Sequence, residues 1–161
     1  MKNTGKTNVM RVLDSLSIPY TSHFYEEDAN LSGVEVAKIL DEEIDQVFKT
    51  LVTQGKSGQH YVFVIPVKEE LDLKKAARAS GEKAIVMIKQ KELLHLTGYI
   101  HGGCSPIGMK KQFPGYLDET AELFDTVCVS AGKVGAQVEL SPLDLIRAAE
   151  LTTADLVVND I

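Results

Sequence analysis

Lys49 is the residue of this sequence whose surroundings best suit chemistry. It interrupts the apolar run 47–52, which has the pattern of a β-strand. Both faces of such a strand would be half-buried, so the lysine stem would have to cross apolar surface. Two interpretations follow: the ammonium extends from a strand end into solvent, or it enters a pocket and stabilises a carbonyl oxygen or a phosphate there.

A glycine-rich segment, 101–108, is the second place that could bind a ligand. The adjacent Gly102 and Gly103 lack a Cβ, so their backbone amides could approach a ligand closely and hold an oxyanion or a phosphate. The segment matches neither a Walker A motif nor a dinucleotide-binding fingerprint. An ordinary turn is the alternative interpretation.

Cys104 lies in the same segment and raises the question of a protein nucleophile. A catalytic cysteine needs a base within reach, usually histidine, and the four histidines of the sequence form no recognisable Cys/His signature. A small packed residue is therefore favoured. No metal site is predicted, because His101 and Cys104 offer only two ligands, and zinc needs three or four. No cofactor is predicted either.

Three further residues lie on predicted strands. Two of them have both a functional and a structural interpretation, and the third has only a structural one. Tyr25 closes the first strand and is either a pocket residue or a half-buried aromatic. Ser130 ends a later strand and is either a pocket residue or an ordinary strand-end hydroxyl. Cys128 lies between two valines, which indicates a core position.

Length and composition indicate one ordinary globular domain. The chain has 161 residues, of which 44% are hydrophobic and 25% charged, both typical of a soluble protein. Two cysteines are too few for a disulfide scaffold and suit a reducing compartment. The sequence shows neither a stretch long enough for a membrane span nor a signal-peptide pattern. We therefore expect a cytoplasmic protein with no membrane association.

Charge is distributed unevenly along the chain. The net charge of -6 argues against a strong autonomous nucleic-acid binder. The segment 68–111 nevertheless holds nine basic and five acidic residues, a balance of +4, while the rest of the chain carries -10. This segment is either a solvated surface or one side that tolerates a polyanion with the help of a partner.

Hydrophobic periodicity and turn residues predict the elements that must position these side chains. The strand 61–65 is apolar on both faces and should be central in its sheet. Tight glycine-containing turns favour antiparallel pairs. The expected class is α/β, a single domain spanning 1–161, with a mixed sheet that is curved or forms a partial barrel and is surrounded by helices. Helices are expected at 9–16, after Ser32, at 41–47 (one turn), 71–80 and 89–97 and after Ser141, and strands at 20–25, 49–53, 60–67, 85–88, 126–130 and 137–140.

Four segments, in this order along the chain, closely resemble the YbaK/EbsC family of aminoacyl-tRNA deacylases. The four together are far more specific than any one of them, and the resemblance extends from the first helix to 154–156. The family is related to the editing domain that is inserted in bacterial prolyl-tRNA synthetases. The matching segments are 45–51, 71–75, 98–108 and 129–133.

The resemblance implies roles for particular residues. Lys49 matches the lysine that is essential to the family's activity, and Thr50 follows it as expected. Gln137 stands seven residues after the pocket serine, where some members carry an aspartate, so a carboxylate at that position cannot be essential here. The pocket residues implied in this way are Tyr25, Thr50, Gly102, Gly103, Ser130 and Gln137.

The resemblance also implies a reaction, namely hydrolytic editing in trans of cysteine mischarged on tRNA(Pro), and also Cys-tRNA(Cys). The thiol of the cysteinyl ester could attack its own carbonyl while Lys49 and the glycine amides stabilise the oxyanion. The implied partners are the acceptor end of tRNA and prolyl-tRNA synthetase, and the implied state is a monomer. The alternatives are a non-catalytic module that binds aminoacyl-tRNA or a synthetase, a deacylase for another aminoacyl-tRNA, and a cysteine hydrolase using Cys104.

Overall fold

The computed structural model describes residues 5–159. The two ends of the predicted domain 1–161 lie outside the described residues. The first of these ends includes four residues of the segment that was expected to lack a signal peptide. The described part contains five α-helices: α1 (Asn8–Ser15), α2 (Gly33–Ile39), α3 (Leu73–Ser80), α4 (Leu93–Thr97) and α5 (Pro142–Ala149). Its strands are β1 (Thr21–Phe24), β2 (Phe48–Gly55), β3 (His60–Pro66), β4 (Ile85–Met87), β5 (Gly115–Asp118), β6 (Val127–Ser130), β7 (Ala136–Leu140) and β8 (Leu151–Ala154).

The larger sheet has five strands in the order β4-β2-β3-β5-β8. β2 and β3 form an antiparallel hairpin in which Lys49 lies opposite Ile65, and β4 pairs antiparallel with the end of β2. β5 and β8 add on the other side as parallel strands. β3 is thus the middle strand, and the prediction from its two apolar faces is confirmed.

The smaller sheet has three antiparallel strands in the order β1-β7-β6. Its register places His23, Gln137 and Ser130 side by side in one row across the sheet. Because directly opposite residues share a face, one face of this sheet is polar. The other face carries residues such as Val129 and Val138 into the main core.

A single parallel bridge between Val47 and Cys128 joins the two sheets, which do not close into a barrel. The predicted α/β class with a mixed sheet is confirmed. Phe48, the first residue of β2, lies in the main core, and Val47 just before it lies in a small cluster with Val67 and Cys128. The seam between the sheets is therefore packed with apolar side chains.

Local capping signals set the helix boundaries. Ser32 and Glu35 form the predicted capping box, with both hydrogen bonds at 3.1 Å. α3 and α4 end at Gly81 and Gly98, both in the left-handed conformation that favours glycine. Ser141 caps α5 by accepting from the Asp144 amide at 3.1 Å.

Two strands and two helix segments differ from the sequence-based expectation. β5 and β8 were not predicted, because their stability comes from the parallel pairing of β5 with β3 and of β8 with β5 rather than from a local pattern. The predicted helix 89–97 divides into a short 3-10 helix (Gln90–Glu92) and α4, and the turn predicted at 41–47 is a 3-10 helix at Ile44–Gln46. Among residues 5–159, every helix is too short or too polar to cross a membrane.

Candidate functional site

A cavity of about 360 Å³ lies where α2, the start of β2 and the polar face of the small sheet meet. Six of the seven site residues expected from the sequence line it, and Cys104 lines it as well. The remaining one, Gly103, lies beside it. The expected residues that the structure brings together in this cavity are Tyr25, Lys49, Thr50, Gly102, Ser130 and Gln137.

Lys49 lines this cavity, and so does Val67, the residue to which its ammonium is hydrogen-bonded. The side chain is half-buried, and its Nζ donates to the Val67 carbonyl oxygen at 3.2 Å. Burial lowers the pKa of Lys49, while the more distant Glu70 and Glu69 oppose that shift. Within residues 5–159, Val67 is the one acceptor recorded for this ammonium, so its other two N–H groups can serve a ligand.

Two hydroxyl groups accompany the ammonium. The Thr50 Oγ1 atom is buried and, within the part of the chain that the structure describes, has no hydrogen-bond partner. An unpaired buried hydroxyl is costly and uncommon away from functional sites. Ser130 Oγ accepts from the Gly132 amide at 3.2 Å, which leaves its own hydrogen free to donate. The Ser130 hydroxyl can therefore donate to a polar group of a ligand, whereas the Thr50 hydroxyl is buried beside the cavity.

Tyr25 and Gln137 complete the polar lining from the small sheet. The Tyr25 amide donates to the Gly135 carbonyl at 2.9 Å, and burial raises the pKa of its phenol, so the ring remains neutral. Gln137 is only 5% exposed. Its Nε2 donates to both carboxylate oxygens of Glu42, at 3.0 and 2.7 Å, in the amide orientation that places the nitrogen opposite these acceptors.

The two adjacent glycines have different tasks. Gly102 lines the cavity with a φ of +88°, a conformation that favours glycine. The Gly103 amide, in contrast, donates to the Ile100 carbonyl at 3.0 Å and closes a turn. The place of a Gly103 Cβ would be 2.8 Å from the backbone between Lys133 and Val134. The Gly103 amide is therefore already bonded within the protein, so the two glycine amides cannot bind a ligand as the expected pair.

The close approach at Gly103 predicts that Gly103→Ala lowers both stability and activity. Backbone atoms cannot move aside as a flexible side chain can, so the 133–134 segment must shift by several tenths of an ångström. We expect a loss of about 1–3 kcal/mol in the free energy of unfolding. We also expect the rate of ester cleavage to fall about tenfold or more. Thermal unfolding and ester cleavage measure the two effects.

Gly58→Ala is the matched control for this prediction. Gly58 has a φ of +96° in the β2–β3 hairpin loop and no atom within 4 Å of its Cβ position. This control should lose stability through backbone strain yet retain activity per folded molecule. Wild-type stability and activity in Gly103→Ala would contradict the prediction.

Cys104 is a thiol of low reactivity. Burial raises its pKa to about 12, with a smaller opposing effect from a hydrogen bond with Thr97. Because the thiolate is the nucleophile, a cysteine with this pKa is poorly suited to covalent catalysis. The geometry thus supports the interpretation of Cys104 as a packed residue in the cavity wall.

A polar cluster behind Gln137 was not predicted from the sequence. His23, Glu42 and Cys128 place potential metal-ligating atoms within 4.8 Å of one another. His23 Nε2 also pairs with Glu139 Oε1 at 2.7 Å, and the Cys128 thiol is hydrogen-bonded to Glu42. The alternation of polar and apolar residues in 127–130 and 136–140 is the sequence signal that could have indicated such a polar face.

These side chains together suit the stabilisation of an oxyanion. An ammonium in a partly desolvated cavity stabilises developing negative charge more strongly than it would in water. The hydroxyl of Ser130 and the amide of Gln137 can orient a polar ligand, while Val36, Leu51 and other apolar residues exclude water. The described lining provides no activated protein nucleophile, so the attacking group must come from the ligand or from water.

Comparison with known proteins relates this chain to editing proteins. The model of the aminoacyl-tRNA editing domain matches residues 27–148. EbsC of Enterococcus faecalis, a candidate Cys-tRNA(Pro)/Cys-tRNA(Cys) deacylase, is 47% identical over 96% of this chain and 98% of its own length. The prolyl-tRNA editing protein ProX of Acetoanaerobium sticklandii is 30% identical over 76% of this chain and 71% of its own length.

A solved structure extends the likeness to three dimensions. A candidate trans-editing enzyme for prolyl-tRNA synthetase superposes with a TM-score of 0.80 at 26% identity, over 96% of this chain and all of that one. The domain match, the identity to EbsC and the shared fold agree with the cavity geometry. The chain belongs to the aminoacyl-tRNA editing domain family.

Proposed function

We propose that this protein is an aminoacyl-tRNA deacylase that removes cysteine from tRNA(Pro), and from Cys-tRNA(Cys), in trans. The single observation that carries the proposal is the half-buried ammonium of Lys49 in a cavity that also holds Gly102 and Ser130. The names of EbsC and ProX support the substrate class. The whole chain, 1–161, is proposed to be one editing domain.

The proposed reaction uses the thiol of the substrate. The cysteinyl thiolate attacks its own ester carbonyl, so a carbon–sulfur bond forms and the bond to the ribose oxygen breaks. The released ribose oxygen takes up a proton, and the cyclic thiolactone is then hydrolysed by water. A cysteine thiol has a pKa near 8.5 and is already partly ionised at pH 7, so no protein base is required.

The residues of the cavity then have distinct proposed roles. Lys49 stabilises the oxyanion that forms on the ester carbonyl. Thr50, Ser130 and Tyr25 hold the aminoacyl group in the folded geometry that brings sulfur to the carbonyl. Gly102 allows the backbone to approach the ester, and Gln137 binds the amino-acid part. No metal ion or cofactor takes part in this scheme.

Exposed lysines beside the cavity are proposed to hold the tRNA backbone. Of the basic residues in 68–111, Lys68 and Lys75 already pair with Asp45 and Asp155, at 2.5 and 3.0 Å. Others surround α4, whose Leu93 lines the cavity. The Lys110 amide donates to the Thr97 carbonyl at the end of α4, so this lysine follows the same helix closely. The exposed set is Lys89, Lys91, Lys110 and Lys111.

Charge reversal at this lysine set should weaken tRNA binding without changing the chemical step. For the double variant Lys110→Glu/Lys111→Glu we expect KM for aminoacyl-tRNA to rise about tenfold at low salt, with kcat unchanged. The matched control is Lys56→Glu, because Lys56 lies at the far end of β2, about 23 Å from Lys49 by the rise of the strand. A minimal aminoacyl-adenosine substrate should not distinguish the variants. An unchanged KM for tRNA would contradict this binding surface.

A partner is proposed to deliver the substrate. The net charge of -6 gives the chain modest affinity for a polyanion by itself, and prolyl-tRNA synthetase already holds the acceptor end of the tRNA. A complex would raise the effective concentration of the mischarged end. We propose a cytoplasmic monomer acting in this way. Equal deacylation rates with and without the synthetase, at low enzyme concentration, would exclude its contribution.

The decisive experiment is a direct deacylation assay. The protein is incubated with Cys-tRNA(Pro), Cys-tRNA(Cys) and Ala-tRNA(Pro), and loss of the labelled ester is followed. We expect rapid loss from both cysteinyl substrates and slow loss from the alanyl one. Binding without any loss of ester would show a non-catalytic module, and faster loss from the alanyl substrate would show a deacylase of different specificity.

A further inference from the structure

The amide of Gln137 has a fixed orientation because of a residue outside the cavity. Gln137 lines the cavity, is nearly fully buried and directs its Nε2 at both oxygens of Glu42. Glu42 itself is absent from the cavity lining. It lies shortly after the end of α2 at Ile39, and its amide donates to the Ala37 carbonyl at 2.9 Å. Its backbone is therefore anchored to the helix.

Hydrogen-bond donors meet the Glu42 carboxyl group on two sides. One is the Gln137 amide, and the other is the Cys128 thiol of β6. Burial raises the pKa of Glu42, while these two donors and the nearby His23 of β1 oppose that shift and Glu139 of β7 adds to it. A carboxylate can accept hydrogen bonds and cannot donate one. It therefore holds only the nitrogen end of the neighbouring amide.

The other end of the same amide is a hydrogen-bond acceptor. Since Nε2 is committed to Glu42, the Oε1 atom is the end that remains for the cavity. In the register of the small sheet, Gln137 lies directly opposite Ser130, whose hydroxyl hydrogen is available. The two residues thus offer an acceptor and a donor next to each other. In an aminoacyl ester, the strongest donor that could meet the acceptor is the α-ammonium group.

We propose that Glu42 is a positioning residue that orients Gln137 with its oxygen toward the cavity, and that the site thereby selects aminoacyl groups with a free α-ammonium. This inference rests on the proposed function, because it names the part of the substrate that Gln137 binds. A residue outside the cavity then determines which amino-acid derivatives are accepted. Peptidyl or N-acylated esters, which lack the cation, are disfavoured.

Binding of two non-hydrolysable probes tests the inference. One is adenosine with a cysteinyl group in amide linkage at the 3′ position, and the other carries a 3-mercaptopropionyl group, which lacks only the amine. We expect the wild-type protein to bind the first about tenfold more tightly. In Glu42→Gln this ratio should fall to about twofold or less, because a neutral amide can accept or donate and no longer fixes Gln137.

Two further variants keep the test decisive. Glu139→Gln makes the same chemical change on the same polar face without contacting the Gln137 amide, so it should retain the preference for the amine. Gln137→Met removes the proposed acceptor and should lose the preference even if Glu42→Gln does not fold. With tRNA substrates the Glu42→Gln effect should appear in KM rather than kcat.

The outcomes separate this inference from the proposed function. A wild-type protein without preference for the amine, or a Glu42→Gln variant that keeps it, would overturn the role of Glu42. Either result leaves deacylation untouched. A protein that fails to cleave Cys-tRNA(Pro) would refute the proposed function, while the probes would still report whether the cavity recognises an ammonium.

Discussion

Lys49→Met should lose deacylase activity by roughly two to three orders of magnitude and remain folded. Removal of one donor to a developing oxyanion has an effect of about this size in other enzymes. Methionine has nearly the volume of the lysine stem and keeps its apolar contacts. Single-turnover cleavage of labelled Cys-tRNA(Pro) measures the loss, and thermal unfolding measures stability.

The lowered pKa of Lys49 determines the direction of the stability change. Burial makes the folded protein release this proton more readily than the unfolded chain does. The charged lysine therefore opposes folding at neutral pH, and that opposition disappears as the pH rises through the ordinary lysine pKa of 10.5. Lys49→Met should thus unfold at the same temperature as the wild type or at a higher one.

The same shift predicts the alkaline limit of activity. The ammonium is lost as the pH rises through a pKa below 10.5, so the rate should fall before free lysine would titrate. Lys56→Met, at the other end of β2, is the matched control and should behave as the wild type in every measurement. Wild-type activity in Lys49→Met would refute the assignment of this residue.

Removal of the substrate thiol should have an equally large effect. With S-methylcysteinyl-tRNA(Pro) in place of Cys-tRNA(Pro), we expect the rate to fall by about a hundredfold or more, because a thioether cannot form a thiolate. Ser-tRNA(Pro) should also be slow, since a hydroxyl is scarcely ionised at neutral pH. Rates under single-turnover conditions, with trapping of the thiolactone, provide the measurement.

Cys104→Ala is the protein-side control for this prediction. Burial keeps Cys104 in its thiol form, so the variant should retain most of the wild-type activity. An inactive variant would indicate a protein nucleophile. Cleavage of the S-methyl substrate at the rate of the cysteinyl one would show that water, rather than the substrate's own sulfur, attacks the ester.

Much of the fold could be predicted because its signals are local. The capping box of Ser32 and the glycine stops at 81 and 98 each depend on a few neighbouring residues. β5 and β8 are different. β5 begins with Gly115 and ends with Asp118, two residue types that are unfavourable in strands, and the two strands form only by pairing beside β3 and each other. β8 begins directly after α5 with Glu150 at a φ of 54°, so no glycine or proline marks the boundary.

The candidate site likewise contains residues that could be predicted from the sequence and residues that only the folded structure brings together. The family resemblance implied the residues expected in the cavity, and all but Gly103 line it. Glu42 could not be predicted, because its contact with Gln137 joins residues far apart in sequence. The structural role of Gly103 could not be predicted either, because the 133–134 backbone lies close to it only in the folded protein. Long-range packing, rather than local propensity, decides such contacts.

The Val47–Cys128 bridge joins the two sheets that contribute the proposed catalytic and substrate-binding residues. Lys49 belongs to the large sheet, whereas Ser130 and Gln137 belong to the small one. Sliding of one sheet against the other therefore changes the spacing between the cation and the groups that orient the ester. If the proposed roles hold, we expect substitutions along this seam to change turnover without contacting the substrate.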